Sequence, residues 1–554
     1  MTQRLVLDMV HDNPGEPPFQ TSFRDPAKLA EYGYNGQVLK HVNCAVLPGN
    51  AQEKAWMERL ARGLDESIAK AKAAGLAVYC HIDLFVLPKS LAESRGGQIC
   101  DPNTGRIVLG SPAIFEIHRC LFHEICARFP DIDGFIVRVG ETYLFDTPFH
   151  TGNSPIPDSS EPWTPTYLYE RSLAEGRAPL DAWTPAQTES YRRLISFLRD
   201  EICAVHGKRL IFRTWDIFPD RLHAVREHYL AVTDGIEPHP LLSFSIKHTA
   251  LDFWRRVKVN ECLMAGRHPQ IVEVQCAREY EGKGAYPDYV MRGVFEGFEE
   301  NRVRGSLREI LKHPLVQGVY GWSRGGGWYG PYLANEFWCD LNAFVLGRAS
   351  GGMDEEAAFR EFCGRQRLSP EASRQLRELC LLSAEAVLKG RYCEAFDKAL
   401  HESVLPSALW MRDDRLGGLD QLQLVFGYLN RHGLMGRALE EKAESVRIWE
   451  RICRLADRIE MPDARMREHL TVSCQYGRLL YSIVHEGWRI MAGQQGDPDR
   501  YDDLWEQYRR LRRSPECASL YRGVYFSLPG HPEPSGMDES VRKMRKVPVG
   551  AAAI

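Results

Sequence analysis

Several things are missing from this 554-residue sequence, and each absence excludes something. No stretch offers the roughly 18 uninterrupted apolar residues that a membrane-spanning helix needs. The opening "MTQRLVLDMVHDNPGE" reaches a polar turn after Val10 before any signal-like apolar run builds up, so a soluble, cytoplasmic protein is expected. There is no charge excess: 70 Lys and Arg stand against 74 Asp and Glu, a net charge of -4. The whole molecule is therefore no electrostatic trap for nucleic acid or an anionic membrane, and any pull on an acidic ligand must be local. None of the 15 cysteines forms a C-x-x-C pair, and Cys80, Cys126 and Cys276 sit in apolar runs, as small buried hydrophobes do. No compact His/Cys/carboxylate spacing stands out. "HEICARF" (123–129) has no second His four residues after its first, so neither a metal nor another cofactor is expected. There is no internal repeat, no low-complexity block, and no glycine-rich phosphate turn after the first strand.

What is present is an alternation. Short β-like runs occur at 4–10, 36–42, 76–85, 134–140, 209–215, 241–248, 271–277 and 316–322. Between them lie helical segments such as 51–75, 113–129 and 191–207. Eight strands, each followed by a helix, predict an α/β fold of the (β/α)8 TIM-barrel type, with a doubly wound open sheet as the runner-up. After residue 352 the strand signal stops and 353–515 read as nearly continuous helix, an all-α helical domain. The expected division is a barrel over 1–350, a helical domain over 351–525 and a partly ordered tail over 526–554. The connection 145–179 is rich in Pro, Thr, Ser and Gly with aromatics interleaved, and reads as a substrate-covering loop.

A barrel of this kind carries its chemistry at the carboxyl ends of its strands. Strand four ends in Arg138 and Glu141, and strand five in Arg213 and Asp216. Strand six ends in Lys247, His248 and Asp252. Strand seven, "IVEVQCAREYEG" (271–282), starts like a protein interior and ends like its surface, with Arg278, Glu279 and Glu281. Strand eight brings Trp322, Arg324 and Trp328, and strands two and three offer His41, Asn43, His81 and Asp83 for sugar hydroxyls. Carboxylates, cations and aromatics on one rim suit cleavage of an acidic sugar. Glycosidases place two carboxylic groups about the scissile bond, aromatic faces pack on sugar C–H surfaces, and cations hold a uronic carboxylate.

The segments "DGFIVRVGE" (133–141), "SIKHTALDFWRR" (245–256), "VEVQCAREYEGKG" (272–284) and "GGWYGPYLANEFWCDLNAFVLGRA" (326–349) resemble glycoside hydrolase family 67, the α-glucuronidases. That resemblance implies Glu141 as general acid, with Asp146 the alternative, and Asp252 or Glu279 as the base that activates water. It implies Arg138, Arg213 and Lys247 as cations on the uronic acid, an inverting mechanism without metal, and oligosaccharides from glucuronoxylan as substrates. It also implies a homodimer through the helical domain. The family carries an amino-terminal β-sandwich where the first strand here begins almost at Met1, so part of the usual pocket wall is expected to be missing. Another uronide, or another α-linked sugar, is the alternative substrate. A non-catalytic carbohydrate-binding barrel is the rival class, against which three retained carboxylates argue.

Overall fold

The computed structural model describes residues 4–11, 20–140, 142, 147–153, 185–215, 222–276, 278, 281–325, 335–399, 419–493, 496–517 and 541. Eight strands close into a barrel: β1 (Leu5–His11), β2 (Gly36–Leu39), β3 (Ala77–Asp83), β4 (Gly134–Arg138), β5 (Arg209–Arg213), β6 (Leu242–Lys247), β7 (Gln270–Gln275) and β8 (Val316–Gly325). Each strand lies beside its neighbour in sequence, and β8 closes onto β1. The registers run parallel, from Leu7 opposite Gly36 round to Lys247 opposite Glu273. The expected (β/α)8 barrel is therefore the fold, and every expected strand falls on an observed one. The run at 36–42 ends early, at Leu39, because His41 turns left-handed (φ 65°) and starts a short turn over Val42–Ala45. Helices between strands start on local caps: in α1 (Ala51–Ala73) the Asn50 side chain accepts from the backbone N–H groups of Gln52 and Glu53, a contribution of about 1 kcal/mol.

Side chains along a strand alternate between its two faces. One face fills the barrel: Leu7, Met9, Val38, Tyr79, Ile136, Ile211, Ile271, Tyr320 and Trp322 form one buried cluster, drawn from every strand but β6. Burying each large apolar side chain stabilises the fold by about 1.5–3 kcal/mol. One alternation further toward the carboxyl ends, the same face carries His11, His81, Arg138, Arg213 and Glu273. An apolar floor thus lies under a polar layer.

The chain groups into two compact units that interleave along the sequence, rather than dividing once near residue 350. The first is Met1–Asp252, Val259–Val274 and Leu307–Trp322; the second is Phe253–Lys258, Gln275–Ser306 and Ser323–Ile554. In the second unit α2 (Pro370–Arg391), α3 (Met435–Ala456) and α4 (Ala464–Met491) pack together, each at least 22 residues long. Ser369 caps α2 with Pro370 in its first turn. The segments after β6 and β7 join these helices: the Arg255 N–H donates to Tyr392 Oη (2.8 Å), and Tyr286 Oη meets Tyr481 Oη (2.9 Å). Of the expected loop over 145–179, only 147–153 are described; there His150–Thr151 pairs with Leu87–Pro88 in a short antiparallel ladder. Of the tail, only residue 541 is described. Among the described residues no helix is long and apolar enough to cross a membrane.

Candidate active site

Among the described residues, three cation–carboxylate pairs stand at the carboxyl-terminal mouth of the barrel. Asp83 and Arg138 are register partners at the ends of β3 and β4, and Arg138 Nε donates to Asp83 Oδ1 at 2.6 Å. At the end of β5, Arg213 Nε donates to both oxygens of Glu273 on β7, at 2.8 and 3.0 Å. The intervening strand β6 supplies Ser245, whose Oγ donates to Glu273 Oε1 at 2.7 Å. At the end of β6, Lys247 Nζ donates to Asp252 Oδ1 at 2.7 Å and stands 3.2 Å from the centroid of the Trp215 ring.

Burial opposes charge throughout this layer, and the pairs decide which groups keep theirs. Burial works against the Asp83 carboxylate, but the Arg138 guanidinium, with Lys40, outweighs it and holds the group well below the usual carboxylate range. Burial is also the main influence on His81; Asp83 offsets it in part, and Arg138, Arg213 and Lys40 reinforce it, so the ring stays neutral. His11 is neutral for the same reason, burial first and then the cations Lys40, Arg138 and Arg213. A neutral imidazole donates through one nitrogen and accepts through the other, which suits sugar hydroxyls. Neither ring nitrogen of His81 has a hydrogen-bond partner among the described residues, and neither do Nη1 and Nη2 of Arg213.

Arg138, Arg213, Lys247 and Asp252 lie at the carboxyl ends of β4, β5 and β6, and each cation has a carboxylate. His248 is buried nearby; its backbone N–H donates to the Glu273 carbonyl at 3.0 Å. Trp322 is corrected: it offers no open sugar platform. It is 4 % exposed, belongs to the barrel core, stacks on His11 (5.0 Å, 6°) and has the Arg213 guanidinium 4.8 Å from its ring. The strand places it on the inward face, one alternation beyond Tyr320. Arg324 is corrected too: it belongs to the second unit, buried and paired with Glu336 at 2.8 Å, because a buried guanidinium needs its own counter-charge. Glu141, Asp146, Asp216, Glu279 and Trp328 lie outside the described residues.

The surface-like end of strand seven is not surface. Arg278 and Glu281 are buried in the second unit, with Arg278 Nε donating to Glu281 Oε2 at 2.8 Å and Tyr392 Oη donating to Glu281 Oε1. The backbone there is strained: φ is positive at Arg278 (40°) and Lys283 (50°), and the Arg278 carbonyl accepts from the backbone N–H groups of Glu281 and Lys283. Sequence reasoning passed over Glu273, Ser245 and His11. A signal for Glu273 existed, since Val272, Val274 and Cys276 alternate and leave Glu273 on the opposite face. No group of three or more metal-ligating side chains occurs among the described residues.

The chain is similar to solved glycoside hydrolases. A GH138 enzyme targeting pectin rhamnogalacturonan II aligns at 12 % identity and TM-score 0.48, over 98 % of this chain and 67 % of that one. An O-GlcNAc hydrolase mutant from Thermobaculum terrenum aligns at 11 % and 0.37, over 98 % and 95 %. The structure titled CpGH84B aligns at 9 % and 0.39, over 98 % and 77 %. At such scores the likeness carries no functional weight. No family model and no curated protein matches the chain, so the resemblance to α-glucuronidases rests on its residue motifs.

Proposed function

We propose that this protein is a glycoside hydrolase that removes a terminal α-linked uronic acid from oligosaccharides by direct displacement with water. The observation that carries this reading is Arg213. It is 1 % exposed at the barrel mouth, and its two η nitrogens have no hydrogen-bond partner among the described residues. Unmet buried donors cost about 1–3 kcal/mol each. A carboxylate ligand removes that cost through two parallel charge-assisted bonds, which a neutral hydroxyl does not match. In this reading Glu141 protonates the departing oxygen and Asp252 or Glu279 draws a proton from water. Inversion requires about 6.5–9.5 Å between acid and base carboxyls. Asp252 suits a solvent-facing role: its side chain is 20 % exposed and Lys247 engages its Oδ1.

A panel of aryl α-glycosides, with product anomers followed by NMR in real time, tests the proposal. The uronide is expected to be preferred and the β-anomer to appear first. Preference for a neutral glycoside, or first appearance of the α-anomer, defeats it. A second reading has its own support: Arg138 and Lys247 are already engaged by Asp83 and Asp252. The same acid–base chemistry could then serve an α-linked sugar without charge, and the neutral members of the panel decide between the two.

A further inference from the structure

We propose that Glu273 is a positioning residue: with Ser245 it holds Arg213 by Nε alone, leaving both η nitrogens to take the carboxylate of the ligand. This rests on the uronide reading above. Glu273 is 0 % exposed, and a buried carboxylate costs several kcal/mol unless it is well paired. The ordinary solution for an Arg–carboxylate pair is fork to fork, two parallel bonds that satisfy two guanidinium nitrogens at once. Here both Glu273 oxygens converge on the single Nε, at 2.8 and 3.0 Å. The pair thus leaves unsatisfied the two nitrogens that a purely structural ion pair would be expected to cover.

The neighbours make this arrangement firm. Strand β6 lies between β5 and β7, with Ser245 the register partner of Arg213 and Lys247 that of Glu273. Ser245 donates to Glu273 Oε1 at 2.7 Å and so fixes the carboxylate from the side. The Trp322 ring, 4.8 Å from Arg213 Cζ, offers the guanidinium its aromatic face, and His11 stacks on Trp322 at 5.0 Å. One edge of the guanidinium is held by Glu273 and the cation is packed on Trp322. The Nη1–Nη2 end has no hydrogen-bond partner among the described residues, and a planar anion bound there would supply both bonds. Holding a binding group this way lowers the ordering cost when ligand arrives.

Titration calorimetry on the full chain, with free glucuronate and glucose as probes, tests the proposal on Glu273→Gln and Ser245→Ala. Wild type is expected to favour glucuronate. Glu273→Gln should weaken glucuronate about tenfold or more, as expected when a charge-assisted bond that orients the ligand's partner is lost, and leave glucose within about twofold. Ser245→Ala should lower the same preference less, by about threefold. Equal loss for both sugars, or an unchanged preference in Glu273→Gln while wild type favours glucuronate, overturns the positioning role and leaves the uronide reading standing. A wild type that binds glucuronate no better than glucose overturns both. Should Glu273→Gln not fold, Ser245→Ala decides, since it removes only a neutral hydroxyl; an unchanged preference there overturns the proposal.

Discussion

Replacing Asp83 by Ala isolates one buried pair and can be measured without knowing the substrate. The Asp83 and Arg138 side chains are each 9 % exposed, 2.6 Å apart, on adjacent strands and in register. Removing one partner of a buried pair leaves the other desolvated and costs about 3–5 kcal/mol. Asn keeps an oxygen that accepts from Arg138 Nε, a bond worth about 1.5–3 kcal/mol, so Asp83→Asn should cost about 2 kcal/mol less than Asp83→Ala. Arg138→Met in the Asp83→Ala background removes the guanidinium that has lost Asp83 and should recover part of the loss. The pH dependence follows from the sign of the Asp83 shift. Its carboxyl is held well below the usual range in the fold. The stabilisation is then complete above the unfolded-state value of about 3.9 and is lost as pH falls below it toward the folded value. The gap between wild type and Asp83→Ala should be flat from about pH 8 to 5 and narrow only below about pH 4. Urea unfolding, followed by tryptophan fluorescence and far-ultraviolet circular dichroism, gives these differences. A cost under about 1 kcal/mol, or a gap that already narrows between about pH 8 and 6, refutes the argument.

Three further outcomes are expected. Lys247→Met keeps the stem beside Trp215 and removes the ammonium from Asp252; loss of a charged bond worth about 1.5–3 kcal/mol should lower kcat/KM on the best aryl glycoside about 10- to 150-fold. Its thermal midpoint should barely move, because Asp252 reaches water, and an unchanged kcat/KM would show that the Lys247–Asp252 bond plays no part in catalysis. Gly318→Ala should destabilise the barrel closure by about 1–3 kcal/mol, since a Cβ there lies 2.0 Å from the Leu5 carbonyl oxygen, a backbone atom that cannot step aside; an unaltered urea midpoint would contradict this. Tyr392→Phe strips one bond from buried Glu281 and should cost about 1–3 kcal/mol in the same assay, with a null effect showing that Arg278 and Arg255 satisfy that carboxylate alone.

The fold was legible because its signal is local. Strands reveal themselves by alternation, since side-chain direction reverses at every residue whatever the strand pairs with. The same rule made the polar layer readable: Arg138 follows Ile136, Arg213 follows Ile211 and Glu273 follows Ile271, each by two residues on one face. The pairing within that layer was not legible. Arg213 meets Glu273 across β6, and Asp83 meets Arg138 beside it, only because the sheet closes in one order and register. Trp322 promised a platform by its residue type, and the barrel interior made it core. Arg278 and Glu281 resembled a surface by composition, yet Tyr392, 111 residues after Glu281 and just past the end of α2, donates to Glu281. The sequence by itself determined which residues face inward and that the fold is a barrel of parallel strands. Only the tertiary structure decided which charge neutralises which, and that the Arg213 η nitrogens meet no partner among the described residues, because counter-charges come from strands and helices far apart along the chain.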